Sequence, residues 1–181
     1  MKKIVFCIFL MMSFFICFSQ EDSIKTHFKT DETGLIWQKI FETDLTYDKI
    51  VNFVQDSGNF EAIIVDENKI KCELKEFDID YKAVGGSYMS TPIYISRNRF
   101  TCFALIEYQH GKYRVTLKKF ILHQNIDDPF ARKGDTDPLD LYAIKKKTGE
   151  VKSGFISDAN KYIDFTLNKL FTFKEKSETK W

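Results

Sequence analysis

Hydrophobic positions along this chain repeat with two periods, and the change between them marks out the elements. Leu35 to Phe41 alternates only loosely but is rich in Ile, Trp and Phe, and predicts a strand. Thr46 stands where a helix cap belongs, and Tyr47, Ile50, Val51 and Val54 follow at the i, i+3, i+4, i+7 spacing of one helix face, with Gly58 as its stop. Phe60 to Val65 and Lys69 to Lys75 flank Asp66-Glu67-Asn68 and predict a hairpin, with Asn68 best suited to a positive φ. In its second arm Ile70, Cys72 and Leu74 share one face, and Lys69, Lys71, Glu73 and Lys75 share the other. Beyond Lys75 the parity flips to Phe77, Ile79 and Tyr81, as a β-bulge or bend produces.

The clearest local pattern is Arg99 to Gln109 and Lys112 to Leu122 around His110-Gly111. A two-residue turn with Gly second suits a type I′ hairpin. Its register pairs Tyr108 with Tyr113, Ile106 with Val115 and Ala104 with Leu117 on one side, and Glu107 with Arg114 on the other. This arm also slips parity, from Val115 and Leu117 to Phe120 and Leu122, so the sheet is expected to curve strongly. Residues 83–98 read as a loop, with Ile93 to Ile95 as a short edge strand, and residues 123–137 as a second loop. Pro138 to Val151 permits a short helix before a turn at Lys147 to Glu150. Ser157 or Asp158 can cap a closing helix whose apolar face is Ala159, Ile163, Leu167, Leu170 and Phe171. No internal repeat is present.

The N-terminus follows a different pattern. Lys2 and Lys3 precede an apolar run from Ile4 to Phe18, and Ser19 is small and followed by polar Gln20. This is the three-part pattern of a secretory signal peptide. The run is shorter than the roughly 18–20 residues a spanning helix needs. Cys17, preceded by Phe14-Phe15-Ile16, does not fit a lipoprotein acceptor. The expected organisation is a signal peptide at 1–19, a loose polar leader at 20–33, one domain at 34–173 and a charged tail at 174–181. Cleavage near Ser19/Gln20 would leave 162 residues with no membrane span, 25 Lys+Arg against 26 Asp+Glu, and only Cys72 and Cys102. The expected location is the periplasm of a Gram-negative-type cell, or the medium outside it. A domain of that size can bury enough surface to fold without metal or disulfide. Balanced charge and export argue against nucleic acid as a partner.

The chain is poor in recognisable chemistry. His27, His110 and His123 are scattered, and no His-x-x-x-His, Gly-x-Ser-x-Gly or phosphate-binding loop occurs. Cys72 and Cys102 read as core residues, with a disulfide as the alternative in an oxidising compartment. Asp127, Asp128, Asp135, Asp137 and Asp140 crowd one region, but Arg132 and Lys133 interrupt them and the spacing is not that of a calcium loop. A solvated acidic loop is the simpler reading. No residue is assigned a catalytic, cofactor-binding or metal-ligating role.

Gly34-Leu-Ile-Trp-Gln-Lys-Ile, the helix with Lys49-Ile-Val-Asn-Phe-Val, Ile70-Lys-Cys-Glu-Leu and Tyr113-Arg-Val-Thr-Leu together resemble an exported bacterial family of domains of unknown function with a TATA-binding-protein-like (TBP-like) fold. The resemblance spans about residues 34–122. It implies an α+β class, a curved antiparallel sheet with helices packed on one face, and supplies no catalytic residues. The expected function is a non-enzymatic binding or interaction module of the cell envelope, its partner an envelope protein or a small ligand. The alternatives are a small-ligand or lipid carrier using the sheet face that bears Phe103 and Leu105, and a metal-dependent hydrolase using the His123 to Asp140 region.

Overall fold

The computed structural model describes residues 26–127 and 132–174. The signal-peptide segment, Asp128 and all of the charged tail except Lys174 lie outside the described residues. The fold is α+β, built on one antiparallel sheet that does not close. Strand β1 (Phe28–Asp31) pairs with β2 (Gly34–Glu42), so the expected loose leader contributes a strand. Only Phe28 of its four side chains is buried, and that is too little alternation to read as a strand.

Helix α1 (Tyr47–Asp56) buries Ile50 and Val54. Thr46 holds the cap position, but its hydroxyl makes no capping bond. Strands β3 (Phe60–Asp66) and β4 (Lys69–Phe77) form the expected hairpin, and Ile70, Cys72 and Leu74 face the core. Asn68 does not have a positive φ; among the described residues the left-handed non-glycine positions are Ala62 (φ 49°) and Lys119 (φ 54°). A helical turn, α2 (Ile93–Ser96), stands where an edge strand was expected. Pro92 favours a helix start, and Asn98 Nδ2 donates back to the Tyr94 carbonyl at 3.1 Å.

Strands β5 (Asn98–Gln109) and β6 (Lys112–Gln124) pair in the expected register, including Tyr108 with Tyr113 and Glu107 with Arg114. The turn differs in type. Gly111 is left-handed (φ 81°) and His110 is not, as in a type II rather than a type I′ turn. The strand order is β1-β2-β6-β5-β4-β3. Beyond Lys118, where β2 ends, a short strand β7 (Thr136–Pro138) pairs with Ile121 to His123, so part of the expected 123–137 loop extends the sheet.

The chain closes with α3 (Asp140–Ala143), α4 (Ser153–Asp158) and α5 (Asn160–Phe171). Ser157 and Asp158 therefore end a separate short helix instead of capping the last one. That extra helix buries Phe155 edge-on against Phe28, with ring centroids 5.1 Å apart. Helix α5 brings Ile163, Leu167 and Phe171 onto the sheet, and Phe171 meets Trp37 and Phe60. A single core joins this side of the sheet to the helices.

Register breaks occur between Glu61 and Ile64 in β3, between Leu74 and Phe77 in β4, and between Lys118 and Ile121 in β6, where Lys119 and Phe120 oppose the single residue Cys102 of β5. The two slips expected from parity are present, and the break in β3 is additional. The three breaks lie side by side across neighbouring strand pairs, where bulges bend a sheet.

Candidate binding surface

Side chains alternate across the sheet, so the residues between the core positions define a second face. Its rows follow from the registers. One runs Lys69, Glu107, Arg114, Ile40; the next Ile64, Lys71, Leu105, Thr116, Gln38; the third Glu61, Glu73, Phe103, Lys118, Ile36. Phe103 and Leu105 are half-buried, while Ile40 and Ile64 are exposed.

Charged side chains on this face are mostly tied to one another. Glu107 accepts from Arg114 Nε at 2.9 Å and Nη2 at 2.6 Å, with Lys69 Nζ at 3.5 Å. Burial pushes the Glu107 carboxyl up, but Arg114 and Lys69 together outweigh it and hold it below its ordinary range. Lys118 donates to Asp31 at 2.8 Å, and this bond, aided by Thr33, lowers the Asp31 carboxyl to about 2. Glu61 and Glu73 differ. They face each other across β3 and β4, an arrangement that destabilises a sheet, and among the described residues neither has a cation partner. They border an open concavity of about 380 Å³ at the line of bulges, floored by Phe103 and Ile121 with Thr101 and Lys119 beside them.

Those of the residues singled out from the sequence that are described do not form a joint site. His123 Nε2 lies 2.9 Å from Thr101 Oγ1. Asp127 accepts from the Lys133 amide and Asp135 from the Arg132 amide. Asp137 accepts from the Tyr142 hydroxyl at 3.1 Å, and Asp140 from the Leu35 amide at 3.3 Å. Each carboxylate serves a local turn or contact. Among the described residues no group of three or more His, Cys, Asp or Glu could hold a metal ion.

Cys72 and Cys102 are buried free thiols on adjacent strands. Cys72 stands opposite Ala104 and Cys102 opposite Leu74, so the pair is diagonal. A diagonal separation is typically about 7–8 Å, beyond the usual disulfide span. Burial pushes the Cys72 thiol up to about 12 and Cys102 well above its ordinary value. Burial likewise raises the Tyr94 and Tyr113 hydroxyls to about 12. These groups hold their protons more tightly folded than unfolded. Their stabilising contribution is complete below the unfolded values of 9.0 and 10.0 and is lost as pH rises towards 12. Urea midpoints are therefore expected to fall steadily from about pH 9 upward; a midpoint unchanged to pH 11 would contradict the assigned burial.

One constellation was not visible in the sequence. Asp164 of α5 receives the Trp37 indole N–H at 2.8 Å and His27 Nδ1 at 2.6 Å on Oδ1, and Asn168 Nδ2 at 2.8 Å on Oδ2. A carboxylate only accepts, so His27 Nδ1 carries the proton. Lys39 Nζ donates to Asn168 Oδ1. The Thr26 hydroxyl donates to Asn160 Oδ1 at 2.9 Å, so it is not directed at the imidazole. The arrangement clasps β1 and β2 to the last helix. His27 and Asp164 are 137 residues apart, and no local motif could have joined them.

The fold and its surface define an open-faced α+β sheet domain. No family model matches the chain, and no curated protein matches it. Among solved structures it is similar to a DUF4468 family protein from Bacteroides ovatus, with 14% identity and a TM-score of 0.48 over 83% of this chain and 92% of that one.

Proposed function

We propose that the protein is a non-enzymatic binding module of the cell envelope, exported by its N-terminal segment, that binds through the sheet face opposite its core. The observation behind this reading is one-sided packing. The buried faces of α1 and α5 share one core with the inner strand positions, whereas Phe103 and Leu105 remain half-buried beside an open concavity. The carrier reading uses the same face, but the concavity at Phe103 is open and bordered by Glu61 and Glu73, which suits a partner surface better than an enclosed apolar ligand.

The test is capture from native envelope extract by the wild-type chain and by Leu105→Asp. A charge at the centre of the face should reduce the captured partner by at least about tenfold with the melting temperature unchanged. Capture of the same species by both proteins would place binding elsewhere. The export component has a separate readout: the protein recovered from cells should begin near Gln20, and an intact Met1 would overturn it.

A further inference from the structure

Helix α1 bears a groove on the helical side of the molecule, away from the sheet face. Lys49, Asn52, Phe53 and Asp56 stand at the i, i+3, i+4, i+7 positions of one helix stripe. With Leu45, Ser57 and Lys174 they line an open pocket of about 440 Å³. Its apolar part is Leu45 and Phe53, both half-buried. The chain itself leads into this groove. Phe173 is buried, stacks on Tyr113 with ring centroids 5.1 Å apart and meets the Phe53 ring at 4.7 Å. Its amide donates to the Tyr113 hydroxyl at 3.3 Å, and that hydroxyl donates to the Phe171 carbonyl at 2.6 Å. These contacts fix the exit from α5 against α1, and the next residue, Lys174, forms part of the groove wall.

The sequence continues from Lys174 as Glu175-Lys-Ser-Glu-Thr-Lys-Trp181, a polar segment with one large apolar side chain. Fully extended, these residues reach about 25 Å. Helix α1, with ten residues, is about 15 Å long, so Trp181 has the reach to meet any part of the groove. Tethering selects this occupant over others. A segment that starts on the groove wall is present at an effective concentration on the order of millimolar, whatever the concentration of other partners. Charge agrees with this choice. The wall carries both signs, Lys49 and Lys174 with Asp56, and the segment alternates acids with bases. An indole buries a large apolar area and keeps one N–H donor; the groove offers Leu45 and Phe53 to the first and the oxygens of Asn52, Asp56 and Ser57 to the second.

We propose that residues 175–181 turn back along α1 and seat Trp181 in this groove, strapping α1 to the end of α5. The test uses the full chain and its Trp181→Phe variant. The chain has two tryptophans, Trp37 and Trp181, so the difference between the two emission spectra isolates Trp181. The expected difference spectrum lies to the blue of the same difference in urea and is poorly quenched by acrylamide, at every protein concentration. A nitroxide on Asn52→Cys locates the indole. Position 52 is exposed, whereas Cys72 and Cys102 are buried. That label should quench the Trp181 emission, and the same label on Lys161→Cys should not. A difference spectrum at its unfolded position would overturn the proposal, as would equal quenching from positions 52 and 161. A blue shift that grows with protein concentration would assign the groove to a second copy of the chain and overturn it too. None of these results bears on the sheet face, which Leu105→Asp tests.

Discussion

Trp37→Ala is expected to lower stability by about 3–5 kcal/mol, the range for emptying a large buried aromatic site. For a domain of this size that is a fall in melting temperature of about 10 °C. Trp37 is fully buried, meets Phe41 and Phe171 at centroid distances of 6.4 Å and gives its indole N–H to Asp164. Its removal empties core volume and takes one donor from the carboxylate that holds β1 and β2 against α5. Trp37→Phe separates these effects. It keeps most of the ring and removes the donor, and a charge-assisted bond of this kind contributes about 1.5–3 kcal/mol. Thermal denaturation of both variants checks the order. A Trp37→Ala protein that melts with the wild type would show that the clasp does not carry the N-terminal strands.

Gly34→Ala should be nearly as damaging, by about 3 kcal/mol, from two sources. Its φ of +113° is a conformation that side chains disfavour. An added Cβ would also lie 2.2 Å from Asp140 Oδ2. Asp140 is there because its Oδ1 accepts from the Leu35 amide, tying α3 to the start of β2. Combining Gly34→Ala with Asp140→Ala removes the clash and leaves the backbone strain. The double variant should therefore be more stable than the sum of the single losses predicts, a coupling that a double-mutant cycle measures. Strict additivity would mean that the close approach does not exist.

Part of this architecture is legible in the amino-acid sequence. The β5–β6 hairpin can be read to the residue because its partners are close in sequence and a single register satisfies both faces. The slips at Lys75 and after Leu117 are legible as parity changes. The β3 bulge is hidden by the unbroken apolar run Ala62 to Val65, in which parity has no meaning. Strands β1 and β7 depend on partners elsewhere: β1 on β2 and Asp164, β7 on the length of β6 that β2 leaves unpaired. Ile93-Tyr94-Ile95 has strand composition, but Pro92 and Asn98 favour a helical turn around it. Alternation alone shows that Phe103 and Leu105 point away from Ile106 and Ala104. Whether helices pack over them depends on where every other element goes, which no local pattern encodes.

The proposed partner sits on the face opposite the core. Photo-crosslinking from a probe at Leu105, with a control probe at Lys161 on the helical side, tests it most directly in the native envelope. The account predicts one discrete crosslinked species from position 105 and none from position 161. The reverse pattern, or equal yields from both, would contradict it.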